Sequence, residues 1–275
     1  MPRPHESEPR PPADFAPLLA TEEPLLLVGG QAVNLWALYY RDRVADLAPF
    51  VSRDADILGD RETLESLAKL AGVKPQFFPV RPPSNEIGVV IAKDAHGSPV
   101  LIEVLRYIHG ATEKELRDPV YTLSIGESQV RVQVPGPIAL LQSKIANLAD
   151  LAQTGRQDAR HVRILCRIMP AYLADLRNAT TGGHLEERSM IVYFERLLAV
   201  VTSTKAKKVL RGLSIEVRGL FAGLGPEGLP KLKEFLARRL PRIGLQVPIF
   251  PAGAGSARGG GGGRAARSIP GKDPR

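Results

Sequence analysis

Cysteine is nearly missing from this 275-residue chain: Cys166 stands alone, so no internal disulfide can form, and five scattered histidines leave no Cys/His-rich zinc site. Its neighbours, Ile164-Leu165-Cys166-Arg167-Ile168, read as a buried helix, which makes the thiol a core residue rather than a nucleophile. No stretch approaches the roughly 18 uninterrupted apolar residues of a membrane span. The Pro-rich, acid-containing start also lacks the apolar segment of a secretory leader. A cytoplasmic protein with no membrane partner is the expectation. Internal repeats are absent as well. What remains, 44% apolar and 24% charged residues, is ordinary globular composition and excludes a fibrous or wholly disordered chain. The formal charge is +8, and half of that excess lies after Pro251, where Arg258, Arg264, Arg267, Lys272 and Arg275 face only Asp273. The rest of the chain has a mild basic bias, compatible with a polyanionic partner but selecting none.

Composition divides the chain into four parts. Residues 1–24 begin with prolines and mixed charge and are expected to be largely disordered. Residues 251–275 hold the run Gly259 to Gly263 between arginines and are expected to form a disordered tail. Between them the hydrophobic period changes at Pro135-Gly136-Pro137. Residues 25–135 read as mixed α/β, with strands at 25–28, 51–58, 87–92, 100–106, 120–125 and 128–134. Helices are expected over 31–40 and after Asp60, where Leu64, Leu67, Ala68 and Ala71 share a face before Gly72 stops it. Residues 136–250 read as helical, with segments at 138–153, 157–168, 171–178, 185–202, 205–221 and 229–240. The fold class is α+β: a small mixed or antiparallel sheet domain followed by a helical bundle.

The sharpest local feature is Ser52-Arg53-Asp54-Ala55-Asp56-Ile57-Leu58. Two carboxylates two residues apart on a strand project from one face and repel, unless a divalent cation such as Mg²⁺ sits between them. As a bare motif this is as often a solvated pair at a strand edge. A third acid, Glu103, lies in the apolar strand Val100-Leu101-Ile102-Glu103-Val104-Leu105, where burial is costly without a positive partner, whether a metal or Arg106. Gly29-Gly30, at a helix start, lets backbone N–H groups approach a phosphate closely, though paired glycines also make commonplace turns. Two other chemistries that use Asp-x-Asp fit poorly. Haloacid-dehalogenase phosphatases need a hydroxyl where Leu58 stands, and metal-dependent glycosyltransferases place the motif after a longer nucleotide-binding region.

Together, Leu26-Leu27-Val28-Gly29-Gly30-Gln31-Ala32, Asp54-Ala55-Asp56-Ile57-Leu58 and Leu101-Ile102-Glu103-Val104 resemble the polymerase-β-type nucleotidyltransferase superfamily. Within it the chain looks most like the AbiEii-type bacterial nucleotidyltransferases, the toxin halves of some toxin–antitoxin pairs. Val132-Gln133-Val134-Pro135-Gly136-Pro137, then Leu140-Leu141-Gln142-Ser143-Lys144, are similar to the strand, proline turn and lysine-bearing helix that follow the third acid. Arg156-Gln157-Asp158-Ala159-Arg160-His161 resembles the basic-Asp segment. The resemblance covers about residues 25 to 165. It departs at Phe50, where an arginine is common, and near His161, where a second aspartate is missing.

The resemblance implies a nucleoside triphosphate as co-substrate and Mg²⁺ held by Asp54, Asp56 and Glu103, all three catalytic. It implies phosphate contacts from Gly29, Gly30 and Ser52, and a triphosphate-binding cation at Lys144, oriented by Asp158. The acceptor is open: RNA, tRNA in particular, is one expectation, an antibiotic or protein hydroxyl another. An antitoxin protein is a further implied partner. A nucleotide- or RNA-binding regulatory module that has lost catalysis is the alternative reading.

Overall fold

The computed structural model describes residues 9–79, 81, 84–94, 97–127, 129–242 and 244. Leu26–Val28 (β1) is a short, wholly buried strand that runs directly into the helix Gly29–Tyr40 (α1). Asp54–Leu58 (β2) follows, and then Arg61–Leu70 (α2), closed at its start by Asp60. The Asp60 carboxylate accepts from the Thr63 N–H at 2.9 Å, and the Thr63 hydroxyl accepts from the Asp60 N–H at 3.3 Å. Next come Gln76–Phe77 (β3), Glu86–Lys93 (β4), Pro99–Leu105 (β5), Glu113–Arg117 (α3), Val120–Ile125 (β6), Val130–Pro135 (β7) and Pro137–Asp150 (α4).

The seven strands form one mixed sheet in the order β3-β4-β5-β2-β1-β7-β6. The β2–β5 and β1–β7 pairs are parallel, and the others are antiparallel. This is the mixed sheet of an α+β protein, as expected. In β7, Val132 and Val134 are buried while Arg131 is exposed, the alternation of a strand with one covered face. Helix α1 is apolar almost all round. Its fully buried Trp36 donates its indole N–H to the Pro135 carbonyl at 2.9 Å and meets Tyr121 edge-on, which fixes α1 against the ends of β7 and β6.

Two compact units divide between Ile168 and Met169, inside the long helix Asp158–Thr181 (α5). The helix α4 therefore belongs to the sheet unit, whereas the change of period at Pro135-Gly136-Pro137 had suggested the helical part. The second unit is built from the rest of α5, Glu187–Thr202 (α6), Thr204–Gly212 (α7), a 3-10 turn over Val217–Phe221 and Pro230–Glu234 (α8). A π turn, Phe235–Arg239, and a last helical turn, Leu240–Arg242 (α9), close it. Its core includes Tyr172, Met190, Phe194, Leu197, Phe221 and Phe235.

Several elements differ from the sequence expectation, each for a physical reason. Helix α5 runs through Pro170, although proline removes a donor and crowds the preceding turn at about 3 kcal/mol. Buried Leu165, Ile168, Met169, Tyr172, Leu173 and Leu176 on both sides of it outweigh that cost. The helix expected over 205–221 stops at Gly212, and Ser214 takes a left-handed φ of 56° that ends it. Strand β3 has only two residues, both exposed, too few for any alternation to be read. The start of the chain is the largest difference. Residues through 24 were expected to lack order, yet Pro12–Leu18 forms a 3-10 helix that buries Phe15, Ala16 and Leu19. Arg10 exchanges two backbone hydrogen bonds with Ser52 (2.8 and 3.0 Å), and its guanidinium pairs with Asp94 at 2.7 Å and Asp14 at 3.3 Å. Three apolar side chains are enough to seat a segment whose composition alone looks unstructured. The Gly/Arg tail lies outside the described residues.

Phe15→Ala should therefore destabilise the protein by about 3 kcal/mol, the usual scale for emptying a buried phenylalanine site. Urea denaturation checks it; an unchanged midpoint would show that the segment is not part of the cooperative fold.

Candidate metal and nucleotide site

Strand β2 carries Asp54 and Asp56, and its parallel neighbour β5 places Glu103 directly beside Asp56. Side chains in register on adjacent strands share a face. Asp54, Asp56 and Glu103 therefore converge, each half-buried, with one carboxylate oxygen from each lying within 4.8 Å of the others. On the other side of β2, Val28 is the register partner of Asp56, so the end of β1 and the first turn of α1 arrive at the same carboxylate.

That junction explains Gly29-Gly30. Helix α1 has neither a side-chain cap nor an acidic residue in its first turn. Its positive end is served from the neighbouring strand, where the Asp56 carboxylate accepts the Gly30 N–H. Gly29 has a left-handed φ of 65°, and a Cβ there would overlap the Asp56 carboxylate and lie 2.6 Å from its Cγ. The space that a Cβ would fill at Gly29 is thus taken by an aspartate. At Gly30 a Cβ would come 2.5 Å from the Ser52 hydroxyl and 3.1 Å from the His161 ring.

The Asp56 pKa is pushed up to about 7, chiefly by burial and then by the neighbouring Asp54. Lys144 and Arg156 oppose the rise from a distance, as does the Gly30 N–H. A carboxylate so placed lacks enough positive charge, and the donor set is all oxygen. Hard divalent cations such as Mg²⁺ suit this set. The residues present fit the ion that the sequence reading implied.

Lys144 lies on α4, buried, with its ammonium 3.1 Å from Asp158 Oδ1. Asp158, in the first turn of α5, also accepts from Arg156 Nε at 2.6 Å and from the Asn147 amide at 3.5 Å. Burial would raise the Asp158 pKa, but Lys144 and Arg156 overcome it and hold the carboxyl below its ordinary range. The sequence reading's pairing of Lys144 with Asp158 is present. Ser52 is buried, with its hydroxyl 3.5 Å from Asp54 Oδ1.

Sequence reasoning missed a layer behind this site. Gln31 is buried and donates to the carbonyls of Arg10 (3.0 Å) and Ser52 (3.4 Å), tying the N-terminal segment to the approach of β2. Asn147, one helical turn after Lys144 on α4, reaches the same aspartate; their i, i+3 spacing was a readable signal. His161 is 4% exposed, and among the described residues neither ring nitrogen has a hydrogen-bond partner. Burial and then the Lys144 charge bring its pKa down to about 3, so the ring stays neutral.

No protein-family model and no curated protein matches the sequence. Among solved structures, an antigenic nucleotidyltransferase-like protein from Paracoccidioides brasiliensis is similar in outline. The two share 14% identity with a TM-score of 0.41, over 78% of this chain and 99% of that one. An overlap so loose assigns no family. Among the described residues, no helix is long and apolar enough to cross a membrane.

Because Asp56 keeps its proton to about pH 7 when folded but has an ordinary value of 3.8, the folded state binds the extra proton between those limits. Stability of the metal-free protein should therefore fall as pH rises from about 4 to 8. Thermal melts in a chelator check this; Asp56→Asn should flatten the profile, and excess Mg²⁺ should raise the melting temperature most at the alkaline end.

Proposed function

We propose that this protein is a nucleotidyltransferase that moves a nucleoside monophosphate from a nucleoside triphosphate to an acceptor hydroxyl, releasing pyrophosphate. The observation that carries the reading is the convergence of Asp54, Asp56 and Glu103 from two adjacent strands, with carboxylate oxygens within 4.8 Å of one another. A divalent cation held there would screen the triphosphate and stabilise the entering and leaving oxygens of an in-line displacement. The acceptor oxygen attacks the α-phosphorus, the bond to pyrophosphate breaks, and the hydroxyl proton must leave. Glu103, half-buried on β5, is the proposed carboxylate to take it. Gly29, Gly30 and Ser52 line the approach on the α1 side and are proposed to contact the phosphates. Lys144, held on α4 by Asp158, is the proposed cation for the triphosphate.

The proposed acceptor is RNA, with tRNA within that class. A toxin's role, a paired antitoxin and a cytoplasmic setting belong to this reading through the resemblance of the motifs around Gly29, Asp54 and Glu103 to AbiEii-type enzymes. Incubation with labelled nucleotides, Mg²⁺ and total RNA tests it. Label in RNA supports transfer to that acceptor, label in a small molecule or in the protein replaces the acceptor, and binding without label supports a non-catalytic module.

Asp54→Asn and Asp56→Asn should abolish Mg²⁺-dependent transfer while the far-ultraviolet circular dichroism stays native; full activity in either purified variant refutes the catalytic assignment. Lys144→Ala should raise the Michaelis constant for the nucleotide about tenfold, equivalent to roughly 1.4 kcal/mol. An unaltered constant takes Lys144 out of the nucleotide site.

A further inference from the structure

Charge is segregated along this chain. Through Ile168 it carries nineteen Lys/Arg against twenty-one Asp/Glu, whereas Met169 to Arg242 carries thirteen against seven. The acids of the helical unit are mostly engaged. Glu195 pairs with Arg239, Glu216 with Arg218, Glu227 with Arg177 and Glu234 with Arg238. Glu187 accepts the Lys231 and Leu232 N–H groups. Helix α7, Thr-Lys-Ala-Lys-Lys-Val-Leu-Arg-Gly, contains no acid at all. Its Ala206, Val209 and Leu210 face the core, and Lys205, Lys207, Lys208 and Arg211 are exposed. Among the described residues, Lys207, Lys208 and Arg211 have no ion-pair partner.

Such a helix works against its own stability. Lys207 and Arg211 are four residues apart and Lys208 and Arg211 three, so like charges face one another at a cost of about 0.2–0.5 kcal/mol per pair. Lys205 stands near the positive end of the helix dipole. Among the described residues, nothing compensates Lys207, Lys208 and Arg211, so the natural compensation is an anionic partner.

We propose that the exposed face of α7 docks the phosphate backbone of RNA. The chemistry of the face separates this from the other polyanions. A membrane-surface helix needs apolar side chains to insert beside its cations, and those of α7 are buried in the core. Protein interfaces are depleted in lysine, while phosphate contacts are built from it. Tyr193, Phe194, Phe221 and Phe235 are buried, so the described residues of the unit offer no aromatic platform for base stacking. Contact is therefore with the backbone, independent of sequence. The choice of RNA over DNA rests on the reading that RNA is the nucleotide acceptor.

The test is fluorescence anisotropy of a labelled RNA hairpin with the full chain, no nucleotide added, across a salt series. A chain carrying Lys207→Gln, Lys208→Gln and Arg211→Gln should bind at least tenfold more weakly at low salt. The slope of log affinity against log salt should become shallower by about 2–3, since each lost phosphate contact contributes 0.7–0.9. Unchanged affinity and slope overturn the dock, as does stronger binding to a DNA hairpin of the same sequence or to anionic vesicles. Transfer assays keep the two proposals apart. If RNA is labelled while the triple variant binds it normally, the dock fails and the transferase reading stands. If α7 binds RNA and no label is transferred to any acceptor, the dock stands and the transferase reading fails.

Discussion

The contact on which the site depends is the Asp56 carboxylate lodged against the first turn of α1. It accepts the Gly30 N–H and fills the space that Gly29 leaves by having no Cβ. Three elements meet there: β1, whose last residue is in register with Asp56; β2, which carries the aspartate; and α1, whose positive end would otherwise lack a side-chain partner. A helix dipole and a buried anion stabilise each other, which offsets part of the cost of desolvating the anion. The offset is incomplete, because Asp54 lies close by and pushes the Asp56 pKa upward along with burial. The fold thus creates a site that is structurally anchored and electrostatically unfinished. Such a state persists only when the surrounding packing over-determines it. Here that packing is the wholly buried β1 and the nearly all-round burial of α1.

Around that contact the chain places supports that act on position rather than on charge. The pairing of Arg10 with Ser52 extends the sheet region before β2 begins, and Gln31 links both carbonyls to α1. The entry into β2 is therefore held from two sides, and Asp54 follows within two residues. On the opposite flank, Trp36 fixes α1 to the Pro135 carbonyl at the end of β7. Since α4 begins at Pro137, the same anchor sets where Lys144 emerges. Residues far apart in sequence are thus referred to one rigid helix, which is how the middle strands of a sheet and two helices hold polar groups in a common frame.

The core of this arrangement was legible because its signals are local. The spacing of Asp54 and Asp56, the isolated acid in β5 and the paired glycines each stand out in a few residues, and strand alternation places both acidic strands with their carboxylates to one side. The capping signal at Asp60 was equally plain. The short helix α3 carried one too, in Thr112 and Glu115, but five residues give no period to read. What could not be read depends on tertiary context. Phe15 looks like one aromatic in a proline-rich tail until the sheet gives it a pocket. Pro170 looks like a break until the packing on both sides is known. The structural need for Gly29 was hidden for a related reason: sequence reports that a glycine is needed, not that the protein's own Asp56 carboxylate lies against it.

The arrangement of cations sharpens what the acidic cluster lacks. Lys144 and Arg156 are the positive groups that act on Asp56, but both are bonded to Asp158, at 3.1 and 2.6 Å, so much of their field is already balanced. His161 is kept neutral by burial and by Lys144 itself. If Lys144 faced Asp54 and Asp56 directly, the cluster would be a satisfied ion-pair network with no chemical demand. Because Asp158 draws the lysine aside, the protein separates a cationic patch from an anionic one within a single unit. A ligand that is itself bipolar, a divalent cation carried with a polyphosphate, matches both patches at once. On the function proposed above, that matching of two opposite charges to one composite ligand is the electrostatic feature a metal–nucleotide pair would use.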